Sequence, residues 1–500
     1  MRRKKIREKI LLGFLLISVA SVAQERLGLK LGEFAGINGV HLNPASMNGS
    51  RYYLDVNLAG GGLFINNNYL FLHQDDYSPL TFLTQSAPYP TFIDDKGRKV
   101  YLDEDYNKKL KNGYTNARAF GPSVMFTYGR HTFGFYTSAR SLLRAKGVSY
   151  EIAKFAYEEF DYDSLFNINF INNVDMDLEM VNMAELGLSY SNIVFARNYS
   201  KVDIGVTLKY LRPHSGMKFY TDNIDYIVPN RDTIIINNLN GKMKMSLPID
   251  YDNNNYYDGE SLFKGQGLGF DVGLVYTKTR EIQSRYGRFR RLCRQETVDY
   301  DYKIGVSLLD VGYVTYSQHV QTHDYDDVDA DWFGLRSFTF NSTNEFLREA
   351  SYEFYGDSTI SNTGKEEFTM RLPTALSTSF DYHFRQSWFV NAMMVYGLPG
   401  GDEQYSRPHY AAVTPRYQSE NFGLSVPVSL YDFRVPQIGL SARIYNITIG
   451  TSSLGHYLGL RQLRGSDFYF SIKFNLMKGK CGRKEADGCR GQEYGFGINN

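Results

Sequence analysis

The sequence predicts an all-β fold, a transmembrane antiparallel β-barrel of about 14 strands with an N-terminal hatch or plug. Three observations predict it. Apolar and polar residues alternate with period two along most of the chain, the signature of strands whose two faces meet different surroundings. The connections between these strands alternate between short turns and long polar segments, as antiparallel outer-membrane barrels require. The chain is also polar on average, with a mean hydropathy of −0.38, yet it carries 40 Tyr and 34 Phe against two Trp. Half of each strand facing water and aromatic girdles at both interfaces account for that combination.

At the N-terminus, Arg2, Arg3, Lys4, Lys5, Arg7 and Lys9 precede an apolar run from Ile10 to Val19, followed by Ser21-Val22-Ala23. This is the layout of an export signal, so residues 1–23 are expected to be cleaved and the mature chain delivered to the outer membrane. A run of about ten to fourteen apolar residues is shorter than the ~20 a spanning helix needs. No later run is long enough either, so a membrane-embedded chain must cross as a closed barrel. No cysteine follows Ala23, and a lipid anchor is not indicated.

Residues 24–50 are Gly-dotted and weakly periodic, too long for a turn and too short for a domain, which suits a hatch. A disordered mature N-terminus is the alternative. Asn43-Pro44-Ala45 is incompatible with a helix interior, and Gly39 and Gly49 are expected to supply turn conformations. Residues 51–476 are read as the barrel and 477–500 as a periplasmic tail. The first strand places Tyr52, Leu54, Val56 and Leu58 on one face.

A long segment from Gln74 to Asn116 leads to Ser123–Tyr128, a turn at Gly129-Arg130 and a return over His131–Ala139. After a long acidic stretch, Leu186, Leu188 and Tyr190 mark the next strand. Residues 198–201 turn back into Val202, Ile204, Val206, Leu208 and Tyr210, opposite Asp203, Thr207 and Lys209. Pro229–Phe263 and the acidic region from Asp324 read as long loops. Strands follow at 268–276, 304–308, 376–384, 389–396, 411–417, 422–430, 438–444, 447–454 and 467–476. A soluble β-sandwich shows the same alternation, but its loops would not sort into short and long classes so regularly.

Four segments, LNPASMNGSRYYLDVNL, LPTALSTSFDY, TPRYQSENFGLSVPVSL and GSDFYFSIKFNL, resemble an uncharacterised outer-membrane family of Bacteroidota, a domain of unknown function similar in outline to FadL-type transporters of long-chain fatty acids. The resemblance spans nearly the whole mature chain, with Asn43-Pro44-Ala45 matching the hatch motif of FadL-like barrels. It implies a FadL-like barrel and supplies no ligand.

Candidate chemistry is sparse. His319 and His323 lie beside Asp324, Asp326, Asp327, Asp329 and Asp331, yet a Ca²⁺ loop starting at Asp327 has Trp332 and Phe338 where glycine and glutamate belong. The Asp250, Asp252, Asn254 series fails similarly. Gly265, Gly267 and Gly269 imitate a phosphate loop but have no helix after them. Gly267, Gly269 and Gly273 read instead as lumen-facing glycines that leave room for a plug.

Arg285, Arg288, Arg290, Arg291 and Arg294 cluster with Arg280 around Cys293 and suggest docking of an anionic periplasmic partner, a solvated turn being the alternative. Cys481 and Cys489 are close enough to bridge. A net charge of +1 without a basic stripe gives no reason to expect nucleic acid. No metal, cofactor or catalytic motif is recognised, so an enzyme is not expected, an outer-membrane hydrolase being the third choice.

The expected role is passage of a small hydrophobic ligand across the outer-membrane lipid. The rival is a non-transporting barrel serving a secretion or surface-attachment machine. A continuous apolar pocket would favour the first and a filled lumen the second.

Overall fold

The computed structural model describes residues 26–73, 93, 102–158, 160–172, 175–254, 261–283, 299–334, 340–400, 405, 407–458 and 462–476. The chain is mostly β, a closed antiparallel barrel of thirteen strands with extra strands on its rim. The wall begins with β1 (Leu54–Asn67). β2 is Lys111–Phe120 continued by Ser123–Tyr128, and β3 is His131–Val148. The element Met176–Asn230 turns back at Asn198, whose φ is 53°, and supplies β4 (176–197) and β5 (200–230).

The wall continues with β6 (Gly265–Gln283), β7 (Tyr300–Tyr316), β8 (Phe368–Arg371 and Ala375–Arg385), β9 (Trp388–Gly397) and β10 (Tyr410–Gln418). It ends with β11 (Phe422–Ser425 and Val428–Tyr431), β12 (Val435–Ile438 and Leu440–Ile444), β13 (Ile447–Thr451) and β14 (Gly465–Leu476). Counting the folded element twice gives fourteen passes. Parity requires an even number, because all pairings around the ring are antiparallel and β14 closes on β1 with Leu54 opposite Leu476 and Phe64 opposite Asp467.

Closure removes the unpaired edge that no bilayer tolerates. Outside, Ile204, Val206 and Leu208 of β5, Leu268, Phe270 and Val272 of β6, and Phe470 and Phe474 of β14 form an exposed apolar band. Inside, the alternate residues Asp203, Thr207, Lys209, Asp271, Asp467, Tyr469 and Ser471 are buried. Among the described residues no helix is long and apolar enough to cross a membrane.

Three expectations need correction. The expected loop Gln74–Asn116 includes most of the first half of β2, which is strand from Lys111. Its outward residues are small (Gly113, Thr115, Ala117, Ala119), so no apolar alternation announced it. The expected loop Pro229–Phe263 contains a strand, Thr233–Ser246, that pairs with the upper part of β5. The region after Asp324 holds Ala330–Phe333, paired to that strand, and the helix Thr343–Tyr355, capped by Ser342 and ended by Gly356 at φ 67°.

These segments build a folded rim above the wall, around Ile236, Leu239, Tyr325 and Val328. The sorting of connections also has an exception. Between β11 and β12 the long-loop side has only a tight turn, with Asp432 at φ 49° and Phe433 at φ 54°. The assignments of 1–23 as signal and 477–500 as tail lie outside the described residues.

Candidate functional site

Residues 26–50 fill the barrel. They form a short helix Leu27–Lys30 and two 3-10 turns, Gly36–His41 and Pro44–Gly49. Asn43 and Pro44 start the last turn for a local reason. The Asn43 side-chain carbonyl accepts from the Ala45 N–H at 2.9 Å, and Pro44 sits where a helical N–H would have no partner. The remaining side-chain amide of Asn43 donates to the carbonyls of Leu274 and Val306, at 3.1 and 3.3 Å. One residue thus shapes the turn and ties it to β6 and β7.

The wall admits the hatch at glycines. A Cβ added to Gly205 would lie 2.4 Å from Ala45 N, and one on Gly273 2.1 Å from Asn43 Oδ1. Gly134 of β3 faces Ile37 and Met47, and Gly305 of β7 faces Asn43. Of the three glycines singled out from sequence, only Gly273 meets the hatch. Gly267 lies against Tyr313 and Val314 of the neighbouring strand, and Gly269 against Leu372 and Lys209.

Gly39 and Gly49 lie within the 3-10 turns, and the left-handed hatch glycines are Gly32 and Gly36, with φ of 86° and 54°. Tyr52, expected on one face with Leu54, Val56 and Leu58, is buried with Phe34, Ile37, Val40 and Met47, because β1 begins only at Leu54.

Polar residues of the inner wall hold the hatch in place. Asp55 accepts from the Ile37 N–H at 2.8 Å and from Lys473 at 2.9 Å, and Lys473 also donates to the Ala35 carbonyl at 2.6 Å. Glu33 pairs with Arg51 at 2.5 Å and Lys303 at 3.5 Å. Burial alone would raise the Glu33 pKa, but Lys303 and Arg51 outweigh it and hold the carboxyl below its ordinary value. Asn48 donates to Ser191 and accepts from Thr132, and Ser307 donates to the Leu42 carbonyl.

Above the hatch, toward the long loops, lies a layer of buried charge. Asp310 is its hub and accepts from Lys209 at 2.6 Å, Arg140 at 3.1 Å and Arg407 at 3.5 Å. Lys209 also pairs with Asp271 at 2.7 Å, and Glu185 receives Arg118 and Arg140 at 3.3 and 3.5 Å. Simple alternation along β7 would send Asp310 into lipid with Ile304 and Val306. A bulge between Leu308 and Val311, with Asp310 at φ 54°, reverses the parity and turns the carboxylate inward.

His41 accepts from Arg118 through Nδ1 at 3.0 Å. Burial, and then Arg118 and Lys30, hold its pKa well below the ordinary value, so the ring is neutral with its proton on Nε2.

A third layer caps the charges. Phe64, Tyr114, Leu142, Met183, Tyr316 and Tyr405 belong to one buried apolar cluster drawn from several strands and the β9–β10 connection. Tyr316 stacks on Phe368, with centroids 4.7 Å apart. Phe64, Tyr114 and Tyr431 are mutually within aromatic contact. The lumen therefore runs from apolar rings through buried ions to the hatch.

The charged layer was not foreseen, although Lys209 opposite an apolar face was its visible signal. Arg285, Arg288, Arg290, Arg291 and Arg294 lie outside the described residues, as do Cys293, Cys481 and Cys489. Arg280 pairs with Asp299 and Asp301 and donates to the His383 carbonyl. His323 contacts Ser361 and His319 the Ile249 carbonyl, so the two do not converge. Among the described residues no group of three or more His, Cys, Asp or Glu side chains is placed to hold a metal.

The description of a family of unknown function, DUF5723, matches residues 44–451. No curated protein matches the chain. Among solved structures, the toluene transporter TodX of P. putida aligns at 10% identity and a TM-score of 0.37, over 88% of this chain and 94% of that one. The toluene transporter TbuX of Ralstonia pickettii aligns at 9% identity and a TM-score of 0.36, over 88% and 92%. A Pseudomonas aeruginosa FadL homologue aligns at 10% identity and a TM-score of 0.22, over 91% and 98%. What the chain does is read from its own interior.

Proposed function

From a chain that belongs to the DUF5723 family of unknown function and closes around a buried hatch, we propose a hatch-gated outer-membrane conduit that admits a small apolar molecule from the long-loop side. The observation that carries this reading is the aromatic layer around Phe64, Tyr114 and Tyr405, which lies above the ions and the hatch. An apolar solute gains about 25 cal/mol for each Å² it removes from water there, whereas an ion must shed its hydration.

The charged layer and hatch beneath form the barrier. Its partners are polar groups on the wall, so the hatch exchanges hydrogen bonds, not strand pairing, when it moves. No enzymatic step is assigned to it.

The test is uptake of a radiolabelled monoaromatic hydrocarbon by cells displaying the protein. Met183 belongs to the apolar layer, and Met183→Glu places a carboxylate in it. Uptake above the level of cells lacking the protein, reduced at least severalfold by the variant at equal surface abundance, supports the reading. Equal uptake by parent and variant refutes it.

A second reading, a docking subunit of a secretion or surface-attachment assembly, is favoured by the lumen being filled by hatch, buried ions and packed rings, and by the folded rim, where Phe333, Tyr352 and Ile360 are exposed. Uptake independent of the aromatic layer would bring that reading forward.

A further inference from the structure

We propose that the apolar solute passes the charged layer along the β8–β10 side of the barrel, between Leu27–Leu31 of the hatch and Met393, Val395, Tyr410 and Ala412 of the wall. This names the route for the conduit proposed above and rests on that reading.

The charged layer occupies only part of the circumference. Arg118, Arg140, Glu185, Lys209, Asp271 and Asp310 stand one on each strand from β2 to β7, and Arg407 reaches Asp310 from the β9–β10 connection. On the next strands an apolar strip faces inward. Ala375 of β8 lies opposite Leu309, the neighbour of Asp310, and Val395 of β9 lies opposite Tyr410 of β10. These three, with Met393 and Ala412, are at most 5% exposed and form one apolar cluster with Leu27 and Leu42 of the hatch. Leu31 packs against it.

The strip continues at both ends. Tyr410 is paired with Tyr431, a member of the aromatic layer above. Below, Leu31 also lines a cavity of about 20 Å³ between Leu29 and Phe34 of the hatch and Ser425, Tyr445 and Asn446 of the wall. The last two form the short turn between β12 and β13.

Parting a buried ion from its partner is strongly unfavourable, whereas parted apolar surfaces regain from the solute the contacts they lose. The strip is therefore the side on which a solute leaves the ions undisturbed. The hatch also yields there with the least rearrangement. Asn43 and Asn48 tie its later turns to β3, β4, β6 and β7. Leu27–Lys30 is a single helical turn between Arg26, at φ 48°, and Gly32, at φ 86°. Glycine adopts this left-handed conformation readily, so the bend at Gly32 is the hinge about which the turn swings.

The route predicts a size filter set by Met393 and Ala412. The measurement is uptake of radiolabelled benzene and tert-butylbenzene by cells displaying the full chain, above that of cells lacking it. Ala412→Leu narrows the strip and should lower the ratio of bulky to small solute severalfold, and Met393→Ala widens it and should raise the ratio. A ratio is independent of surface abundance, and Met393→Ala still tests the route where the leucine variant fails to fold. A parent that takes up both compounds, with a ratio that neither substitution shifts in these directions, overturns the route and leaves the conduit reading standing. A parent that takes up neither overturns the conduit reading and the route with it.

Discussion

At Gly205 the hatch and the wall touch backbone to backbone, and the absence of a side chain there sets how closely they approach. A methyl group at that position would lie 2.4 Å from both Ala45 N and the Pro44 carbonyl carbon. Overpacking of this kind typically costs about 1–3 kcal/mol. Gly205→Ala should therefore leave the wall folded but loosen the hatch, seen as faster proteolysis within residues 26–50. Gly455→Ala, with nothing within 4 Å, should not, and equal proteolysis of the two variants would remove Gly205 from the hatch seat.

Asp310 tests the charged layer. Asp310→Asn leaves Arg140, Lys209 and Arg407 without their shared carboxylate, and removal of one partner from a buried pair costs about 3–5 kcal/mol. A urea unfolding free energy unchanged from the parent would contradict that role. From sequence, Asn43-Pro44-Ala45 and Gly273 were legible because proline and glycine restrict or free the backbone locally. Asp310 was not, because a bulge decides its face and period-two counting passes straight through it.

In the proposed conduit the hatch is the element that would gate the lumen. Its Glu33 has a lowered folded pKa, so the linked stabilisation is complete above the unfolded value of 4.5 and is lost as pH falls through the folded value. Acidification below 4.5 should release the hatch progressively, and Glu33→Gln should flatten that dependence. Hydrogen exchange of the Gly36–His41 amides across this range is the measurement. Exchange in the parent that does not change with pH would show that Glu33 does not latch the hatch.

Strands were legible wherever their outward residues are large and apolar, as in β5, β6 and β14. The first half of β2 was hidden by its small outward residues, and the rim strand Thr233–Ser246 by its Asn-rich surroundings. It was also hidden because its partner is the upper continuation of β5, a pairing that no local pattern shows.

For the whole molecule, wall closure and lumen closure are separate. The first is made by strand pairing, with β1 and β14 antiparallel from Leu54 opposite Leu476 to Asn66 opposite Gly465 and one bulge between Asn57 and Ala59. The second combines the hatch, the buried ions and the aromatic layer. Fold class was readable from the full chain because alternation and connection length repeat many times, whereas the interior depends on which distant residues meet.

The most direct test of a hatch-gated lumen is planar-bilayer conductance of the parent beside a Leu27–Met47 deletion, both first shown to be folded by heat-modifiable migration. The wall pairs without residues 27–47, so the deletion should fold and show conductance steps that the parent lacks. A folded deletion variant as tightly closed as the parent would contradict gating by the hatch.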